Sequence, residues 1–249
     1  MTDSTARPCW ICGAPSNSRE HKIKKSDLVR RYGSQPFRNV GGVLHFVDGE
    51  YRKVLGPRAK TLTYDPLICS DCNNAKSQPW DAAYEQFEKW VFENAEIILQ
   101  RRFILLEDVF GNDSYSVSCP ALYKYFVKAF GCRLSHTGFA VPADLVALLP
   151  QERFLTKLRL AFAVNKSLIA FAPEHRDIFL GIGDLIRIDS RSRGVMERYT
   201  WHMQIGWLRI SFFYDVVVPC GLGAPWVSDC ACLYLGEFKA DFPGDAEES

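Results

Sequence analysis

Two C-x-x-C pairs, Cys9-Trp10-Ile11-Cys12 and Cys69-Ser70-Asp71-Cys72, constrain this chain more than any other feature. Each pair sets two thiolates on one tight turn, and two pairs complete the closed tetrahedral sulfur shell that a structural zinc ion prefers. Nine cysteines is an odd number, and the chain opens on Met1-Thr2-Asp3-Ser4, without the basic-then-apolar order of a secretory signal. Both points predict metal binding in a reducing, cytoplasmic setting rather than a disulfide framework. No apolar run reaches the roughly 18 to 20 residues of a membrane helix, so no membrane partner is expected. With 249 residues and 47% apolar composition, the chain can bury one large core or two modest ones.

The 56 residues between Cys12 and Cys69 are more than two zinc knuckles need, which predicts a folded insertion. Within it, the β-rich arms Val43 to Val47 and Glu50 to Leu55 flank Asp48-Gly49, a strong hairpin signal. Charge is also concentrated there. Residues 1–79 hold 13 Lys/Arg against 7 Asp/Glu, and the remainder holds 17 against 22. Lys22, Lys24, Lys25, Arg30, Arg31, Arg52, Lys53, Arg58 and Lys60 are the basic residues expected to meet nucleic-acid phosphates. A solvated basic face is the plainer alternative.

Between the knuckles sits Ser18-Arg19-Glu20-His21-Lys22-Ile23, and directly after the second comes Asn73-Asn74-Ala75-Lys76-Ser77. The order C-x-x-C, Glu-His-x-Ile, C-x-x-C-Asn-x-x-Lys-Ser resembles the HNH endonuclease family, whose ββα-metal core is a treble-clef zinc finger in many members. It is similar also to the HNH domain of the RNA-guided CRISPR nuclease, which carries an acid-His pair and an Asn-x-x-Lys-Ser run. The resemblance covers residues 9 to about 92. It implies a metal-dependent endonuclease that hydrolyses phosphodiester bonds in nucleic acid, DNA above all, in a restriction, defence or mobile-element setting. Where many members carry a middle Asn this chain has Tyr64, with Asp65 or Asn39 as the alternatives for that role.

Phosphodiester hydrolysis needs an activated water, a cation on the phosphate and charge stabilisation as the transition state forms. His21 has the one side chain here that titrates near neutrality, which makes it the expected general base. Glu20 and Asn73 are the expected oxygen ligands of a catalytic Mg²⁺ or Mn²⁺, and Lys76 is expected to reach a phosphate. Adjacent strand residues face opposite ways, so Glu20 and His21 converge on one centre only if the hairpin is distorted there. A second reading is a non-catalytic treble-clef zinc module that binds nucleic acid or a protein partner. A homo-oligomer would help double-strand cutting, though no residue demands one.

The expected fold class is α+β, in two parts. Residues 1–106 form the HNH-like zinc module with its basic β-ribbon and a connecting helix from about Trp80 to Leu106. Residues 107–249 form a mixed α+β domain of unknown role. Helices are predicted at Pro120 to Phe130, Pro142 to Leu149 and Glu152 to Val164, and strands at Tyr199 to Trp207, Leu208 to Val218 and Cys230 to Phe238. Cys220, Cys230 and Cys232 are read as buried free thiols.

Overall fold

A computed structural model describes residues 7–34, 36–37, 43–47 (backbone only), 50–190, 195–216, 226 and 230–239. The chain divides into two compact units, each assembled from two separate stretches. Residues 1–88 and 116–156 make the first, and residues 89–115 and 157–249 the second. The sequence predicts a first part ending at residue 106, whereas residues 116–156 from the back half complete the front unit.

In the first unit, α1 (Lys25–Tyr32) precedes a two-stranded ribbon of β1 (Val43–Val47) and β2 (Glu50–Val54), paired from Val43↔Val54 to Val47↔Glu50. The predicted hairpin is therefore present, with its Asp48-Gly49 turn outside the described residues. A wide π-type helical turn (Asp71–Lys76) follows the second knuckle and leads into α2 (Gln78–Glu93). Pro79 lies in the first turn of α2, where a missing N–H costs nothing. The expected helix to Leu106 instead stops at Asn94, whose side-chain amide bonds Trp90 O at 2.9 Å. A short α3 (Ala95–Arg101) follows, Arg102 turns to a positive φ of 62°, and β3 (Phe103–Leu105) begins.

After α4 (Leu106–Phe110), α5 (Tyr115–His136) crosses from one unit into the other, and its residues from 116 onward belong to the first. Within that unit Tyr125 stacks on Tyr84 at 3.9 Å between ring centroids, and Phe126 meets the rings of Tyr84 and Phe87 edge-on. Gly131 lies against the indole of Trp10, where an added Cβ would come within 2.5 Å of the ring. The knuckle therefore packs directly on the helix backbone.

The second unit is built on a sheet ordered β3-β9-β4-β8-β7-β5, in which β5 is Leu180–Ile182, with β6 (Ile186–Asp189) paired to β7. Its long strands are β4 (Leu158–Asn165), β7 (Met196–Ile205), β8 (Leu208–Asp215) and β9 (Cys232–Phe238). The pairing of β4 with β9 is parallel, and the other pairs are antiparallel. The predicted strands from Tyr199 to Phe238 are found, apart from segments outside the described residues. The helix expected over Glu152 to Val164 is not: Leu158, Leu160, Phe162 and Val164 are buried in alternation, which is strand periodicity.

Candidate active site and metal centre

The four sulfurs of Cys9, Cys12, Cys69 and Cys72 all lie within 4.8 Å of one another. Cys12 Sγ is 3.6 Å from Cys69 Sγ, against about 3.8 Å between sulfurs placed tetrahedrally at about 2.3 Å from zinc. Local backbone geometry builds this cluster. Gly13 takes a positive φ of 77°, and its N–H donates to Cys9 O at 2.8 Å, closing the first knuckle. In the second, the Cys72 N–H donates to Cys69 Sγ at 3.4 Å. That bond pulls the Cys69 thiol down to about 7, while burial pushes Cys9 and Cys72 up. Four thiolates this close repel one another unless a cation sits among them. The group can hold a metal ion such as zinc.

Residues 18–22 run antiparallel to residues 62–68. The Ser18 N–H bonds Ile68 O at 3.0 Å, the Tyr64 N–H bonds Glu20 O at 2.9 Å, and the Lys22 N–H bonds Leu62 O at 2.8 Å. Tyr64 is itself buried, so backbone bonds, not a middle Asn side chain, tie this hairpin together. Asp65 is taken by Arg19 at 3.2 Å, and Asn39 lies outside the described residues.

On this extended segment Glu20 and His21 face opposite ways, as alternation requires. Glu20 turns inward, its Oε1 3.4 Å from Lys128 Nζ. Lys128 comes from α5, is 1% exposed, and also reaches both Asp81 oxygens (2.9 and 3.2 Å) and Ser77 Oγ (3.2 Å). Burial raises the Glu20 pKa, partly offset by Lys128. His21 turns the other way, with Nε2 3.3 Å from the carbonyl oxygen of Pro57. A carbonyl accepts only, so Nε2 carries the proton and Nδ1 is left basic. Burial lowers the His21 pKa, with Lys25 and Lys24 adding to it against the Pro57 bond.

Asn73 donates its side-chain amide to Ser18 Oγ at 2.9 Å and to Arg19 O at 3.4 Å, binding the start of the helical turn to the hairpin. Lys76 pairs with Asp71 at 3.0 Å on the surface. Asn73 is thus joined to the segment that carries both Glu20 and His21, and its backbone oxygen accepts from Ser77 Oγ at 2.7 Å, a hydroxyl that Lys128 also reaches. Among the described residues, the four cysteines are the only three-or-more group of His, Cys, Asp or Glu able to hold a metal. Glu20 does not fit the expected cation ligand, because its oxygen already faces a lysine.

The basic residues sort into two sets. Lys24 pairs with Asp81 at 2.9 Å and Glu85 at 3.6 Å, and both Arg30 and Arg31 pair with Glu88. These three are drawn into the module by α2. Lys22 is half-buried, 6.0 Å from the Tyr64 ring centre. Arg52, Lys53, Arg58 and Lys60 are exposed, Arg52 in a loose 3.5 Å contact with Glu50, and Lys25 is half-buried. The sequence reading missed Lys128 and Asp81. The signal for Lys128 is a cation set between Tyr125-Phe126-Val127 and Ala129-Phe130, one turn after Lys124. As for the sulfurs of the back half, Cys230 is exposed rather than buried, Cys232 is partly so, and Cys220 is outside the described residues.

Compared with known proteins, the chain matches no family model, no curated protein and no solved structure. No helix among the described residues is long and apolar enough to cross a membrane.

Proposed function

We propose that this chain is an HNH-type endonuclease, a phosphodiester hydrolase acting on nucleic acid, with a treble-clef module around a structural zinc and His21 as general base. The observation that carries the reading is the bond from His21 Nε2 to Pro57 O. It fixes one tautomer and leaves Nδ1 to take a proton from an attacking water, and burial lowers the His21 pKa, which favours the neutral ring. Asn73 is tied to the same hairpin, and the exposed Arg58 is one residue beyond the carbonyl that orients the imidazole. A catalytic Mg²⁺ or Mn²⁺ belongs to this reading through the resemblance alone. Asn73 keeps an amide oxygen for such an ion, and Glu20 does not present itself to one.

The engagement of Glu20 by Lys128 favours the second reading, a zinc module that binds nucleic acid without cutting it. The two part in one assay. Wild-type chain and His21→Ala, each holding zinc, are incubated with supercoiled plasmid and Mg²⁺ or Mn²⁺. Nicking by the wild type and a loss of about 10²-fold or more in the variant supports hydrolysis. Plasmid, single-stranded DNA and RNA all left intact but shifted on gels would decide for binding alone.

A further inference from the structure

Beside His21 lies a groove of about 790 Å³ between α1 and the loop after β2, within the roughly 300–1,000 Å³ of small-ligand sites. Its wall includes Val29, Pro36, Leu55 and Pro57, its charged groups are Lys25 and Arg58, and among the described residues no acidic side chain lines it. Among the described residues neither cation makes an ion pair. Leu55 is 61% exposed, an apolar side chain left bare at the mouth of an apolar recess. Two of the lining residues are also the neighbours of the imidazole: Pro57 accepts its hydrogen bond, and Lys25 acts on its charge.

An apolar surface next to two cations that make no ion pair among the described residues suits a ligand that is flat and apolar at one end and anionic at the other. A regular duplex offers its phosphates on a convex surface and keeps its bases stacked inside, so it would use the cations and leave the recess empty. A base outside the stack would fill both. Resting on the nuclease reading, we propose that the groove receives one unpaired nucleotide of a single-stranded or locally opened nucleic acid. Its base lies against Val29, Pro36 and Leu55, and its phosphate lies at Lys25 and Arg58, which delivers the adjoining phosphodiester to His21. The substrate class is then unpaired nucleic acid, not intact duplex.

The test is binding, read by fluorescence anisotropy without added divalent cation, so that its outcome is independent of cleavage. Wild-type full chain holding its zinc is titrated against a labelled single-stranded 12-mer and against the same sequence as duplex. Leu55→Ser, Arg58→Glu and a charge-matched control outside the groove, Arg153→Glu, are compared. The expected result is a single-strand preference of about tenfold. Leu55→Ser should weaken the single strand at least fivefold while changing duplex binding less than twofold, and Arg58→Glu should weaken both. Arg153→Glu should stay within twofold of wild type. Equal or tighter duplex binding, or a Leu55→Ser chain that binds single strands like wild type, would overturn the groove assignment. Single strands bound in the groove yet never cut would leave it standing and remove the nuclease reading instead.

Discussion

Asp27 lies fully buried on α1, with the Tyr84 O–H donating to its Oδ2 at 2.6 Å. Burial pushes its carboxyl up from 3.8 to about 6, although Tyr84, Arg31, Arg30 and Lys24 all favour the charged form. A carboxyl whose pKa is higher in the folded than in the unfolded chain holds its proton more tightly when folded. Its contribution therefore favours folding in acid and is lost as pH rises from about 4 to about 6, a change of about 3 kcal/mol. Asp27→Asn keeps an oxygen for the Tyr84 hydroxyl and removes the buried charge, and Arg31 retains Glu88 at 2.6 Å. The variant is expected to be more stable than wild type in urea at pH 7.5 and to lose that advantage at pH 4. An advantage that stays constant between those two pH values would refute the assignment of the slope to Asp27.

At the scale of elements, the thiolate cluster reinforces two knuckles that are otherwise joined by a few backbone bonds, since residues 18–22 and 62–68 make bridges but no long strand. Metal affinity in such a cluster is folding free energy. Cys72→Ser is expected to reduce zinc content, measured by atomic absorption, from one per chain toward none, and to lower the melting temperature. A variant with full zinc and an unchanged melt would refute the ligand set. The knuckles were legible in the sequence because a C-x-x-C pair is a local object, and so was the β1–β2 hairpin with its Asp-Gly turn. The strand at β4 was not. Leu158-Arg159-Leu160-Ala161-Phe162-Ala163-Val164 is short, rich in helix-forming Leu and Ala, and follows Glu152 and Lys157, so its two-residue alternation competes with a helical reading that only its pairing with β8 and β9 resolves. The candidate-site residues divide in the same way. The Glu20-His21 pair was visible as residues, but which one turns inward is settled by Lys128, a side chain far along the chain that no local pattern connects to it.

At the scale of the molecule, the division into units is a statement about which pieces of chain can stand alone. The first unit needs α5: Lys128 supplies the cation for Glu20 and Asp81, Tyr125 and Phe126 cover Tyr84 and Phe87, and Gly131 lets Trp10 close on the helix. A chain ending at residue 106 keeps all four zinc ligands but leaves Glu20 without its lysine and Asp81 with Lys24 alone, and removing one partner of a buried ion pair costs about 3–5 kcal/mol. It also bares the aromatic face of α2, which adds to the loss. Such a loss is comparable with the whole stability of a small domain, about 5–15 kcal/mol. Residues 1–106 are therefore expected to give no cooperative thermal transition by circular dichroism even with zinc supplied, while the full chain melts cooperatively. A truncated chain that melts cooperatively near the full-chain temperature would show that the zinc module folds without α5, and would also release Glu20 from Lys128. In that event Glu20 would be free to serve as the cation ligand that the HNH resemblance implies, and Mn²⁺ binding to the truncated chain, abolished by Glu20→Gln, would be its direct measure.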